Sequence, residues 1–347
     1  MISFHQENDL EFLILNKRFQ LIYFIMPQLQ KVYLNSLFII LVPILAYLSG
    51  YNILFETTDS VVYREFYENL DVNNPLDSVQ FEYGFVILAF IGKAIFKLGY
   101  FSWVSIINLI SLSIKFWLFS KQRNSILIIL IYVFLLFPFY ECLVVRASIA
   151  HAVVLFALNY YSSKKIKYLF AILVASSLHI SVLLFLVPIV FPNFWHKSIS
   201  PSKVLVVFLS LILIKQSLIL LLEFYPRVAP YYYDNPKYFN SWGIPRIVII
   251  LLAWFYYFRK LKSNFGILCS NLVILFTVFA ISTFEFSLFS IRVLDLILPL
   301  YFILLIVHLK HFKLGGYYLL LALIFELFFV RSIDGAVHTV NFIKWLG

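Results

Sequence analysis

The sequence predicts an all-α membrane protein, a polytopic helical bundle of about ten spans. Hydrophobic residues make up 63% of the 347 residues, which is more apolar surface than a soluble domain could bury. They form runs of about 20 residues, the length of a transmembrane helix, with short loops between them. Lys and Arg residues cluster at the ends of these runs, as membrane topology requires. We therefore expect residues 1–347 to form a single membrane domain.

The charge and cysteine content exclude several other classes of protein. The net charge of +10 comes from clusters beside apolar runs, which favours contact with anionic membrane lipids and argues against nucleic acid as a partner. Cys142 and Cys269 lie far apart in or beside apolar runs, which argues against a disulfide framework or a metal centre. The chain also lacks a glycine-rich phosphate loop and the HExxH and GxSxG motifs. We therefore predict no metal and no cofactor.

The elements can be assigned in order along the chain. Residues 1–31 mix apolar and basic residues and predict an amphipathic segment on the cytoplasmic surface. The first span covers about 32–55, and the acidic segment 56–81 is predicted to be an extracytoplasmic loop. The later apolar segments are 83–98, 103–119, 126–143, 145–161, 168–191, 204–224, 244–258, 265–284, 291–309 and 317–330.

Basic clusters assign the sides of the membrane, and the assignment exposes two irregular segments. The clusters indicate cytoplasmic loops, which places residues 141–146, the loop 223–244 and the turn 285–292 outside. Full crossings by every segment would break this alternation twice. We interpret 83–98 as an interfacial or re-entrant helix, and expect a second irregularity between 168 and 203, where His179 lies mid-segment. Re-entrant backbone is tolerated where it is packed in protein or lines a wet cavity, so both places favour a site. The clusters are Lys121/Arg123, Lys164/Lys165/Lys167, Arg259/Lys260/Lys262 and Lys310/Lys313.

Arg146 is the most informative residue, because it lies in a nearly unbroken apolar stretch, 126–161. An arginine at membrane depth costs roughly 2.5–3.5 kcal/mol on insertion scales. Pro138 should end the preceding helix, so that Glu141 and Arg146 flank a turn at the outer surface. Glu141 and Arg146 are five positions apart, about 140° around a helix, so they would not share a face. Arg146 therefore stays available for an anion. A guanidinium matches phosphate oxygens bidentately, and snorkelling to the interface is the structural alternative.

Two further residues near the predicted outer face could carry chemistry. His179 could shuttle a proton or donate to a phosphate or hydroxyl, or it could be a core histidine bonded to nearby serines. Arg292 opens a span with Asp295 three residues later. It is either a functional cation or half of an Arg–Asp helix pair.

Carboxylates and aromatic residues of the outer segments complete the candidate site. Asp59 and Tyr63 lie one helical turn apart and could share a face with Tyr67. Asp59 and Glu82 are candidates for a general base or for groups that bind hydroxyls. The loop 223–244 is rich in Tyr, Trp, Asn and Asp, which suits stacking on sugar faces, although an interfacial aromatic belt is an equal alternative.

In this order and spacing, the elements resemble the EpsG-type, Wzy-like polysaccharide polymerases of bacterial inner membranes. The resemblance spans about residues 33–310. One departure is Ala147, since the family often has Gln directly after the arginine, where it could contact it. The elements that carry the resemblance are Asp59, Tyr63 and Tyr67, then Glu82-Tyr83-Gly84-Phe85, then residues 145–150, 178–181 and 290–292.

The resemblance implies a reaction and a set of partners. Such proteins polymerise the repeat units of surface polysaccharides such as O-antigen or capsule, carried on undecaprenyl pyrophosphate, at the outer face of the cytoplasmic membrane. The transfer is metal-independent, and the fold is thought similar to that of polytopic lipid-dependent glycosyltransferases of the GT-C type. A chain-length regulator would be a further partner. Arg146 and Arg292 would bind the pyrophosphate, the base would be one of His179, Glu141 and Asp59, and sugar contacts would come from Tyr63, Glu82, Tyr232 and Trp242.

Three other functions remain open at this level. A flippase or transporter for lipid-linked oligosaccharide would also need intramembrane arginines, but such proteins usually show more spans and two related halves. A membrane O-acyltransferase could rely on His151 or His179. A scaffold without catalytic activity is disfavoured because ionisable residues within membranes are usually functional.

Overall fold

Every described element of the computed structural model is a helix, which confirms the all-α prediction for this part of the chain. The structure describes residues 38–51, 58–76, 81–122, 124–158, 160–161, 164–190, 197–223, 243–284 and 287–325. The predicted amphipathic segment 1–31 and almost all of the loop 223–244 lie outside these residues. By compactness the chain divides into two units, 1–45 and 46–347, and the site discussed below belongs entirely to the second.

The helices are labelled here in chain order. A π-helical turn, Ile91–Ile95, continues α3, and two others, Tyr132–Leu136 and Pro138–Leu143, continue α5. A 3-10 helix, Ile180–Leu186, follows α7, and another, Phe258–Lys260, follows α10. The α-helices are α1 Phe38–Gly50, α2 Thr58–Asn69, α3 Tyr83–Phe90, α4 Tyr100–Ser120, α5 Ser125–Ile131, α6 Val145–Leu158, α7 Lys165–Leu178, α8 Val187–Val190, α9 Pro201–Glu223, α10 Ile244–Tyr256, α11 Asn264–Ser282, α12 Ser287–Val307 and α13 Leu309–Phe325.

Among the described residues, three helices are long and apolar enough to cross a membrane. They are Tyr100–Ser120, Asn264–Ser282 and Ser290–Val307, and shorter apolar helices accompany them. These helices support a multi-span membrane protein. The total of about ten spans stays a prediction.

The helix α3 is short, and its predicted interfacial or re-entrant placement in the membrane stays a prediction. With its π-helical turn it extends over Tyr83–Ile95, about 20 Å at 1.5 Å per residue, against a hydrocarbon core of about 30 Å. At its end, Lys93 Nζ donates to the carbonyls of Tyr67, Glu68 and Leu70 at 3.1, 2.7 and 3.0 Å. Lys93 therefore satisfies the carbonyl groups at the C-terminal end of α2, which is a helix inside the segment predicted to be a loop.

The prediction that Pro138 ends its helix is wrong. Helical geometry continues through two π-helical segments to Leu143, and the chain leaves it at Val144, with φ −125° and ψ 57°. Pro138 opens the second π-helical segment, so the helical hydrogen-bond pattern changes at the proline and the chain continues past it. The break still falls between Glu141 and Arg146, as expected, because Arg146 lies in the first turn of α6.

A break in the helical path falls within the second segment predicted to be irregular, at His179 itself. The helix α7 ends at Leu178, and His179 is extended, with φ −156° and ψ 110°. The chain then forms the 3-10 helix Ile180–Leu186. Such a stretch inside a longer helical path often marks a functional hinge.

Contacts between helix ends place the two irregular segments together, away from the basic clusters. Glu82 before α3 contacts both Arg146 at the start of α6 and Ile180 after α7. At the other end of α12, Ile306 O accepts a hydrogen bond from Asn124, which lies close after Lys121. The basic residues that precede α7 and follow α10 belong to this second end, because the start of α6 and the end of α7 meet at Glu82, and Phe258 packs on Tyr301. Which of these two ends faces the cytoplasm stays a prediction from the basic clusters.

The close crossing of α3 and α7 depends on Gly84. A Cβ atom on Gly84 would lie 2.7 Å from the carbonyl oxygen of Ser177, and closer still to its hydroxyl. Because the clash involves backbone, the two helices could not keep this separation with any larger residue. The glycine of the Glu82-Tyr83-Gly84 sequence therefore sets how near Glu82 comes to the break in α7.

We expect Gly84→Val to destabilise the protein by about 1–3 kcal/mol, because α3 must move away from α7. Gly99→Ala is a matched control, since a Cβ there would meet nothing within 4 Å. Thermal unfolding in detergent, followed by tryptophan fluorescence, measures both variants. Equal midpoints for Gly84→Val and the wild-type protein would show that the crossing is not close.

Candidate functional site

Three ionisable side chains from separate segments meet at the break in α7. Arg146 Nη1 donates to Glu82 Oε2 in an ion pair. Glu82 Oε1 accepts from the backbone N–H of Ile180 at 2.9 Å and lies 3.6 Å from His179 Nδ1. The side chains of Arg146, Glu82 and His179 are 20, 16 and 15% exposed. We call Glu82, Arg146 and His179 the helix-break cluster.

The partner of Arg146 corrects one expectation from the sequence. Arg146 was expected to have no carboxylate partner, because Glu141 lies on another face. Glu82, 64 residues earlier in the chain, supplies that carboxylate. The sequence does show Glu82 as part of a motif, but nothing in it pairs the two residues.

Glu82 carries a negative charge in this pair. It precedes α3 and so lies outside the apolar helices. Burial opposes ionisation, but contact with His179, the charge of Arg146 and the Ile180 N–H outweigh it and lower the pKa of Glu82 to about 2. The cluster therefore contains a full carboxylate–guanidinium pair at neutral pH.

Aromatic rings pack against the Arg146 side of the helix-break cluster. The guanidinium carbon of Arg146 lies 4.7 Å from the ring centroid of Phe81, a cation–π distance. Phe81 packs in turn on Tyr63, Phe66 and Phe85, with centroids 5.4, 4.8 and 5.7 Å away. Tyr63 is 5% exposed, and in this structure its ring packs on Phe81. Its expected contact with sugar stays a prediction.

Two buried donor or acceptor atoms of the cluster make no hydrogen bond in the part of the chain that the structure describes. They are Arg146 Nε and His179 Nδ1, since 3.6 Å is too long for a hydrogen bond. Unpaired buried polar atoms are rare in folded proteins and need an explanation. A ligand with acceptor oxygens would satisfy Arg146, which has five N–H donors.

The serines near His179 do not account for the histidine. Ser176 Oγ donates to Leu173 O and Ser177 Oγ to Val174 O, each at 2.8 Å, within their own helix. Within the described residues neither serine forms a hydrogen bond with His179, so Ser176 and Ser177 give no support to the alternative of a core histidine.

A second arginine lies near the cluster. Arg292, in the first turns of α12, is close enough to His179 for their charges to interact. Asp295, one turn further on, accepts a hydrogen bond from Arg246 Nη1 at 2.6 Å, and Tyr140 OH donates to its carbonyl oxygen. Sequence reasoning missed Arg246, although a basic residue opening an apolar helix beside the predicted outer loop was a usable signal.

Glu141 lies in a separate network, where it is fully buried. Lys115 Nζ donates to Glu141 Oε1 at 2.7 Å, and the side chains are 1 and 0% exposed. Tyr132 OH and Ser148 Oγ also bond the carboxylate at 2.8 Å, and Ser148 Oγ lies 2.9 Å from Ser111 Oγ. We call Lys115, Glu141, Tyr132, Ser148 and Ser111 the buried network.

The buried network fixes the chain on both sides of the break at Val144. Glu141 lies just before the break and Ser148 just after it, two residues from Arg146. Lys115 joins both to α4. This arrangement gives Glu141 a structural role, since its carboxylate is occupied by three helices. The sequence signal for Lys115 was the same as for Arg146, a lone cation inside an apolar run.

The remaining candidate residues are only partly covered by the structure. Asp59 lies in the first turn of α2, and its side chain is outside the described part. Tyr232 and Trp242 also lie outside the described residues. Within the described residues, no group of three or more His, Cys, Asp or Glu side chains could hold a metal ion.

These observations define a helical membrane protein with a charged cluster at a broken helix, close to the start of two other helices. The sequence matches the EpsG family model over residues 35–345, nearly the whole chain. The chain therefore belongs to the EpsG family, which confirms the resemblance seen in its motifs. Neither a curated protein nor a solved structure matches it significantly.

We expect Lys115→Met to lower the free energy of unfolding by about 3–5 kcal/mol, because it leaves Glu141 as an uncompensated buried charge. The double variant Lys115→Met/Glu141→Gln should recover most of that loss, since no buried charge remains. Denaturant unfolding in detergent measures both. Equal losses in the single and double variants would contradict a charge-balanced network.

Proposed function

We propose that this protein joins undecaprenyl-pyrophosphate-linked oligosaccharide repeat units into a surface polysaccharide, at the outer face of the bacterial inner membrane. Membership of the EpsG family supports a polysaccharide polymerase with glycosyltransferase activity. The observation that carries the proposal is the helix-break cluster. It combines an arginine that has an unused donor with a histidine beside a carboxylate, in one partly buried place.

The two arginines suit the leaving group of such a reaction. As the bond from the anomeric carbon to the pyrophosphate oxygen breaks, negative charge develops on the pyrophosphate. Without a metal ion, fixed cations must stabilise that charge. Arg146 can bind phosphate oxygens bidentately, and its position in the first turn of α6 adds the favourable end of the helix dipole. The charge of Arg292, in the first turns of α12, also acts on His179.

His179 is the base that the geometry favours for the acceptor sugar. Glu82 Oε1 lies beside Nδ1, which leaves Nε2 on the far side of the ring for the acceptor hydroxyl. His179 would take the hydroxyl proton as the oxygen attacks the anomeric carbon, and Glu82 would hold the imidazole in place. Glu141 is not retained as a base because the buried network occupies its carboxylate. Asp59 remains the alternative base.

The membrane supplies the rest of the proposed site. Apolar grooves between about ten spans would hold the two polyprenyl chains, in a fold similar to GT-C glycosyltransferases. Tyr63, Tyr232 and Trp242 stay candidates for sugar contacts, whereas Glu82 is engaged by Arg146 and Ile180. A chain-length regulator and the surrounding lipids would be the other partners. The transfer would need neither metal nor cofactor.

We expect Arg146→Ala and Arg292→Ala to fold but to accumulate lipid-linked single repeat units, with polymer reduced on the order of 10²-fold or more. Arg64→Ala is a matched control, because Arg64 is 41% exposed and forms a local pair with Glu68 in α2. Mass spectrometry of lipid-linked saccharides, in cells that lack other polymerases, measures the outcome. Polymer of wild-type length in both variants would sink the proposal. Accumulation on the inner leaflet would instead indicate a flippase.

We expect His179→Gln to slow transfer by about 10²–10⁴-fold, the usual contribution of a general base, while donor affinity stays within about twofold. Single-turnover transfer by purified protein in nanodiscs separates the two quantities. A variant that transfers at the wild-type rate would remove His179 from the chemistry and leave Asp59 as the candidate base.

A further inference from the structure

We propose that Glu82 is an internal counter-ion, which occupies Arg146 between turnovers and is exchanged for a phosphate group of the lipid-linked donor. This inference rests on the proposed function, since that function supplies the phosphate. It adds a step that the reaction alone does not require. The site would be closed by its own carboxylate until the donor arrives.

The two oxygens of Glu82 are held by different groups, so one contact can be lost without the other. Oε1 accepts from the Ile180 N–H at 2.9 Å and faces His179. Oε2 is the oxygen paired with Arg146. The backbone N–H belongs to the break in α7 and stays in place when the guanidinium moves. Glu82 therefore has a fixed anchor and a releasable one.

The Arg146 guanidinium also has donors that Glu82 does not use, so it could bind a different anion. Glu82 uses Nη1, whereas Nε is buried with no hydrogen-bond partner among the described residues. The side chain is 20% exposed, so it lies at the edge of the protein interior. The ring of Phe81 beneath it can support the guanidinium through a small rotation. A phosphate group offers several acceptor oxygens and more charge than one carboxylate oxygen, so it can engage two N–H groups at once.

The exchange would also link donor binding to the base. Once a phosphate holds Arg146, the charge of Glu82 is no longer neutralised by the guanidinium. Glu82 still lies beside His179 and would stabilise the protonated imidazole that forms when the acceptor hydroxyl loses its proton. The donor would therefore complete the site for the acceptor.

Binding of inorganic pyrophosphate to protein in nanodiscs tests the exchange. An internal competitor reduces apparent affinity by the fraction of the site it occupies. Glu82→Gln should therefore bind pyrophosphate on the order of tenfold more tightly than wild type, by calorimetry. Arg146→Gln should lose the binding. Glu68→Gln, which removes the exposed partner of Arg64, should leave it unchanged. Equal or weaker binding by a folded Glu82→Gln variant overturns the proposal.

Carboxyl labelling of wild-type protein gives a second test that needs no variant. Exchange predicts that pyrophosphate increases carbodiimide labelling of Glu82 at least severalfold relative to Glu68, because Oε2 is released. Unchanged or reduced labelling, with pyrophosphate bound, means that Arg146 keeps its carboxylate, and this result also overturns the exchange.

Two further comparisons distinguish the exchange from binding of lipid head groups and from the proposed function. In nanodiscs that contain phosphatidylglycerol, exchange specific for the donor predicts the same tenfold difference. Loss of the difference would assign the phosphate to lipid head groups and overturn the donor's role. If Arg146→Ala makes wild-type polymer while Glu82→Gln still binds pyrophosphate tightly, the proposed function fails and the exchange stands. The reverse pair of results rejects the exchange alone.

Discussion

The ion pair between Glu82 and Arg146 is the interaction on which the rest of the site depends. It joins the start of α3 to the start of α6, and the other oxygen of Glu82 binds the N–H of Ile180 after the broken α7. A lone arginine at this depth would be costly, and a carboxylate beside it removes much of that cost. The same carboxylate satisfies backbone that the break at His179 exposes. The Glu82 side chain thus neutralises the charge of Arg146 and also pairs a backbone N–H at the break in α7.

The helix-break cluster and the buried network both include a residue of α6, and the two clusters differ in exposure. Arg146 belongs to the partly exposed helix-break cluster, whereas Ser148, two residues later, belongs to the fully buried network of Lys115 and Glu141. Buried pairs of this kind often add specificity of position more than stability. Here the network fixes the chain around Val144, directly before Arg146. The proposed exchange at the partly buried Glu82–Arg146 pair would therefore leave α6 in place.

Much of this could be predicted from the sequence, but the pairings could not. Apolar runs predicted the helices, and the alternation of basic clusters predicted an irregular segment that includes His179, because hydropathy and alternation act locally. The residue types at Glu82, Arg146 and His179 were likewise visible as a motif. Their contacts were not, since Glu82 and Arg146 lie 64 residues apart and Lys115 lies 26 from Glu141. Pro138 misled because a π-helical segment accommodates it at its first position.

The site depends on an exchange in which Arg146 releases its own carboxylate partner, Glu82, and binds the pyrophosphate of a lipid-linked donor. Its most direct test is an electron cryo-microscopy structure of the protein in nanodiscs with undecaprenyl pyrophosphate bound. Exchange predicts pyrophosphate oxygens within hydrogen-bonding distance of the Arg146 guanidinium. It also predicts that Glu82 is separated from Arg146 and still bonded to the Ile180 N–H. Pyrophosphate bound elsewhere, with the Glu82–Arg146 pair intact, would show that Arg146 does not exchange its carboxylate for the donor.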